Sequence, residues 1–210
     1  MTSISQFGNA FHVSSDPADA DPMDSRLPLE TDRLFMESSW AFDSPISCDP
    51  KERFYRMPKG YKRAGDLLLA QGDGDVVDRR NIVYAALFCY RQAIELFLKH
   101  LIDKFATEDS NKSLKTHSLQ LLWEQFALIA KAHDLEAAEG YAGAAKLVQE
   151  MHAADQQSDA FRYPVTKEGN AFAFGDCGVD SVNLRIVMHG LANFFECVDL
   201  HISASRDVWP

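Results

Sequence analysis

The sequence predicts an all-α fold: a bundle of about four to five helices, with an irregular N-terminal extension and a short extended or turn insertion before the last helix. Three observations carry this. Residues 79–102, RRNIVYAALFCYRQAIELFLKHLI, are apolar almost all the way round, the pattern of a helix central to its domain, yet carry Arg91, Glu95 and Lys99 four residues apart on one stripe, where they must pair, reach the surface or line a site. The segments on either side repeat their apolar residues at helical spacing. The stretches between them are short, polar or glycine-rich, as turns are.

In chain order, residues 1–56 read as an N-terminal arm and residues 57–210 as the helical domain. Residues 1–28 are rich in Ser, Asp, Ala and Pro without periodicity, which predicts a loose, partly disordered arm. RLFMESSWAF (33–42) suits an extended segment, and Pro45 to Pro50 a loop. Helical signals start near Pro58, which fits a first turn. Tyr61, Ala64, Leu67, Leu68 and Leu69 supply the apolar face, and the glycines of QGDGD end it. The central helix is expected from about Val77 to Phe105, followed by the polar turn TEDSNKS. Ser113 to Asp134 places Leu119, Leu122, Trp123, Phe126 and Ile129 at helical spacing, and Glu136 to Asp155 makes a fourth helix. FRYPVTKEGNAFAF (161–174) is not helical: Pro164 biases Tyr163 towards extended geometry, and Glu168-Gly169-Asn170 suits a turn between two short extended pieces. Asp180 or Ser181 caps a last helix whose face includes Leu184, Met188, Leu191, Phe195 and Ile202.

Composition narrows the function classes. With 210 residues, 46% apolar content and 14 Phe, the chain can bury a sizeable core. Its longest apolar run, Ile82 to Tyr90, stops at Arg91, far short of a membrane span. The N-terminus lacks the pattern of a signal peptide, and the cysteines lack metal-ligand spacing. A cytoplasmic protein with reduced, buried cysteines is the expectation.

The net charge of −10 argues against broad nonspecific nucleic-acid binding, but it is unevenly spread. Residues 1–50 hold 9 acidic and 2 basic side chains, whereas residues 51–63, KERFYRMPKGYKR, hold 6 basic and 1 acidic. A basic segment with interleaved aromatics can meet phosphates; it can equally be a solvated helix face.

Three motifs occur in order: YRQAIELFLKHLI (90–102) in the central helix, THSLQLLW (116–123) where a His opens the next helix, and DQQSDAFRYP (155–164) at a helix exit. Together they resemble bacterial members of the HEPN superfamily over roughly residues 75–200. The resemblance implies a bundle of four or five helices, commonly a homodimer, associated with RNA processing, toxin–antitoxin or phage-defence systems. Active members are metal-independent ribonucleases with an Arg followed, after four to six residues, by a His near the start of the last core helix. Here Arg185-Ile-Val-Met-His189 has only three residues between, a departure that bears on catalysis.

Arg185 and His189, at i and i+4, share a helical face. A His titrating near neutrality and a guanidinium are the groups metal-free RNA cleavage needs, one to move protons and one to meet charge on the phosphate. The bland alternative is a polar edge or a salt bridge within the bundle. A second constellation gathers Arg91, Glu95, His117, Asp155 and Arg162, if the start of the 117 helix and the exit near 162 approach one end of the central helix. It suits a small anionic or nucleotide ligand, with Arg162 reaching a carboxylate or phosphate. It suits equally a clasp fixing helix ends. His100, His133, His152 and His201 lack partners at metal-ligand spacing, and no GxSxG, GxxxxGK[ST] or GxGxxG occurs, so no metal and no cofactor is expected. Two functions remain open: a HEPN-like helical dimer binding RNA, a nucleotide or a partner protein, and a metal-independent endoribonuclease using Arg185 and His189.

Overall fold

The computed structural model of the chain describes residues 46–71, 76–106, 114–172 and 178–207. The chain divides between Pro45 and Ile46, and every described residue belongs to the second unit. The expectations for residues 1–45, the aromatic segment 33–42 included, lie outside the described residues.

Among the described residues five α-helices build the second unit: α1 (Pro50–Gln71), α2 (Val76–Phe105), α3 (Leu119–Ala132), α4 (Tyr141–Ala154) and α5 (Ser181–Asp207), with a 3-10 turn at Leu135–Ala137. No strand occurs among the described residues. The predicted all-α class and the helix number are both borne out.

α1 begins earlier than the expected start near Pro58, and ahead of the boundary placed at residue 57. Asp49 decides this: its carboxylate accepts from the Lys51 N–H at 3.0 Å and its carbonyl from the Arg53 N–H at 3.0 Å. Pro50 then falls on the first helical position, where its missing N–H costs nothing. Pro58 is carried inside the helix, buried.

α3 starts at Leu119 rather than Ser113, because the Ser118 hydroxyl accepts from Leu121 N–H and caps it there. α4 starts at Tyr141 rather than Glu136. Asp134 (φ 55°) and Gly140 (φ 86°) are both left-handed, and between them the chain tightens into the 3-10 turn. Before α5, Asp180 caps as expected, accepting from Val182 N–H and Asn183 N–H at 3.0 Å each. In the 161–172 segment the turn is present: Gly169 (φ 82°) donates to Thr166 and the Thr166 N–H reaches Asn170 O at 2.8 Å. Among the described residues neither flanking piece forms a ladder.

α2 is the central element. Ile94, Leu98, Leu101 and Ile102 are buried along it, against Leu119, Leu122 and Phe126 of α3, Val148 of α4, and Leu191, Phe195 and Ile202 of α5. Phe97 stacks on Phe195 with centroids 5.5 Å apart, and Phe126 meets Phe195 edge-on at 6.3 Å. Burying each such side chain is worth roughly 1.5–3 kcal/mol, so this seam dominates the stability. The end of α2 is tied to the end of α5: Arg206 donates to Lys104 O at 3.2 Å and Phe105 O at 3.1 Å, satisfying carbonyls the helix leaves open. Cys89 is half-buried, but Cys48 and Cys197 are exposed thiols, contrary to the expected burial. Cys197 lies outside the stripe that α5 turns inward. Among the described residues no helix is long and apolar enough to cross a membrane.

Candidate functional site

The sequence-predicted residues and one groove mark three places among the described residues. The first is the charged stripe of α2. Arg91 is fully buried, and its Nη1 lies 2.6 Å from Glu95 Oε2. Glu95 Oε1 also takes Lys99 Nζ at 2.7 Å and lies 2.9 Å from His117 Nδ1. Arg91 Nη2 donates to the His117 carbonyl at 2.5 Å, just before the α3 cap. Arg91 Nε points at the Asp155 carbonyl at 3.4 Å and sits 3.2 Å from Asp155 Oδ2 as an ion contact without hydrogen-bond alignment. The other Asp155 oxygen accepts from Asp159 N–H at 2.9 Å and Ala160 N–H at 3.2 Å, shaping the exit of α4.

Four of the five sequence-predicted residues thus meet, with Lys99 as an added member. The fifth, Arg162, turns outward: its Nε donates to the Ser158 carbonyl and its guanidinium lies 5.2 Å from the Tyr163 ring. Burial pushes the Glu95 carboxyl up, but Lys99 and Arg91 together hold it below the usual carboxylate range. Beside this group His152 presents a buried Nδ1 without a hydrogen-bond partner among the described residues, and burial, then Arg91, hold its imidazole below the ordinary value. Two cations face two carboxylates inside, so the arrangement is a clasp joining α2 to the start of α3 and the exit of α4. A ligand would reach only its rim, at Arg162 and His117, whose side chain is 63% exposed.

The second place is where α1, α2 and α5 meet. Arg185 is half-buried and His189 exposed, one turn apart on α5. Lys62 of α1 brings its Nζ to 3.4 Å from His189 Nδ1 and pairs with Asp66 Oδ2 at 2.7 Å. Asp66 Oδ1 accepts the Tyr90 hydroxyl at 2.9 Å. Burial first, then the hydrogen bond and charge of Asp66, push the Tyr90 phenol well up, so it stays a neutral donor. Sequence reasoning found Arg185 and His189 and flagged the basic segment containing Lys62. It missed Asp66 and Tyr90, because Tyr90 reads as core and only the α1–α2 crossing shows what its hydroxyl meets.

The third is a groove of about 710 Å³ between α2, α4 and α5, lined by Leu87, Met151, Phe161 and Leu184 together with Arg79 and Arg80. Among the described residues no group of three or more His, Cys, Asp or Glu side chains is arranged to hold a metal ion.

No family model, curated protein or solved structure matches the chain.

Proposed function

We propose that this chain is a HEPN-like helical module that binds RNA through the surface where α1 and α5 meet. The observation that carries this is the arrival of Lys62, from the basic segment of α1, beside His189 on α5, one helical turn from Arg185. Two fixed cations and an imidazole on one surface suit a phosphate, and their clustering stands against a chain of net charge −10. The order of the elements supports the family reading: the helix carrying YRQAIELFLKHLI lies at the centre, His117 stands just before the cap of α3, and the FRYP exit follows α4. An Arg185→Glu variant is expected to weaken binding to a mixed RNA pool about tenfold or more and to flatten its salt dependence. Unchanged binding in that variant would remove Arg185 from the interface and with it the reading.

A second reading, metal-independent cleavage, is favoured by the exposure of His189, which leaves its imidazole open to a ribose hydroxyl beside a cation. Cleavage of the RNA pool in EDTA, lost in His189→Ala, is its signature. Binding without cleavage by either protein leaves the noncatalytic module.

A further inference from the structure

The seam between α1 and α5 holds a second contact besides that of Lys62 with His189. Lys59, three residues back on α1, meets Glu196, seven residues on along α5, at 3.5 Å. Helical rise puts this pair roughly 5 to 10 Å from the first contact. Both residues line a cavity of about 270 Å³ between α1, α2 and α5, below drug size and large enough for one heterocycle. Phe97, Leu101 and Phe195, all buried, give it apolar walls. Tyr55 and Leu200 line it too and are 52% and 70% exposed, so a flat ring has apolar area to cover. Asp199, also in the lining, is engaged by Lys104 at 2.7 Å and faces His100 at 3.4 Å. The Lys59–Glu196 pair is longer and half-exposed, and such pairs hold their partners weakly. Lys59 Nζ has a second support, 4.1 Å from the centroid of the Tyr55 ring. An ammonium and a carboxylate therefore stand side by side at an aromatic cavity, both open to a ligand.

We propose that this cavity takes a guanine base of the bound strand, with Glu196 accepting its ring N–H and exocyclic amine together and Lys59 donating to its carbonyl. This rests on the RNA-binding reading above. Of the four RNA bases, guanine alone presents two adjacent N–H donors beside a carbonyl on its pairing edge. A carboxylate takes two such donors at once, and the neighbouring ammonium matches the carbonyl. Adenine, cytosine and uracil each set an acceptor next to a single donor group, and that acceptor repels the second carboxylate oxygen. Both lysines here already face carboxylates, so an uncharged base fits the cavity better than another phosphate does. Stacking on the aromatic walls holds the ring, and the polar pair chooses which ring it is.

The test is fluorescence anisotropy of the full chain with labelled single-stranded uridine RNAs that carry guanosine, inosine or adenosine at one position. The guanosine strand should bind about tenfold tighter than the adenosine strand. Inosine, which lacks the exocyclic amine, should fall between them. Glu196→Gln replaces one acceptor oxygen by a donor and should bring the three strands together. The readout is the ratio between strands, so a general gain from removing a negative charge does not enter it. Arg185→Glu should instead weaken all three alike, as loss of a backbone contact does. Equal affinity for the three strands in the unaltered chain would overturn this inference and leave the RNA reading standing. A guanosine preference that survives Glu196→Gln would overturn the assignment of the base to this cavity. Binding of none of the strands would overturn the inference together with the reading it rests on.

Discussion

A guanidinium that is fully buried must have every charge answered nearby, and Arg91 is answered from three elements at once: Glu95 on its own helix, the His117 carbonyl and Asp155. Removing one partner of such a buried group leaves the other uncompensated, at a cost of about 3–5 kcal/mol. Arg91→Met is therefore expected to lower unfolding free energy by that amount, read from urea titration. Glu95 adds a pH dependence with a definite sign. Its carboxyl titrates lower in the folded chain than its ordinary value of 4.5, so the unfolded chain binds the extra proton. Its contribution is fully present above that value and is lost as pH falls from there towards the lower folded-state value. Glu95→Gln should flatten the decline in urea midpoint below pH 4.5 and lower the stability at neutral pH. A decline of equal steepness in the variant would place the acid sensitivity elsewhere. The i, i+4 charges of Arg91, Glu95 and Lys99 were legible in the sequence as a problem needing a solution. The solution was not, since His117 and Asp155 approach only through folding.

Between elements, the crossing of α1 over α2 carries the proposed site, and one glycine permits it. At Gly65 a Cβ would stand 2.7 Å from the Tyr90 ring, whereas at Gly60 on the same helix nothing lies within 4 Å. The two positions therefore predict opposite signs. Gly65→Ala is expected to cost about 1–3 kcal/mol through overpacking. Gly60→Ala should gain about 0.5–1 kcal/mol by removing freedom from the unfolded chain. Thermal unfolding of both variants checks this; a Gly65→Ala chain as stable as the unaltered one would mean that α1 shifts freely on Tyr90. Element identity was largely readable: α2 runs from Val76 to Phe105 against an expected Val77 to Phe105. The ends of α1, α3 and α4 were less so. Asp49, Ser118 and the left-handed Asp134 and Gly140 set them by local hydrogen bonds and dihedrals, which apolar periodicity does not register.

For the whole molecule, the reading as a HEPN-like module includes a homodimer. Light scattering at micromolar concentration should then give twice the chain mass of 23.5 kDa. A value at 23.5 kDa would set the dimer aside. The exposed apolar residues Tyr84, Val182 and Ile186, on α2 and α5, are the first to substitute by charge if the dimer forms. What the sequence by itself determined is the all-α class, the central place of α2 and the existence of a charged stripe along it. These follow from apolar periodicity and from the cost of burying charge, both properties of a single helix. Only the tertiary structure decided that the Arg91 group closes on itself and that Lys62, Asp66 and Tyr90 join the Arg185–His189 surface. Those contacts join residues from different helices, and distance along the chain says nothing about which helix faces will meet.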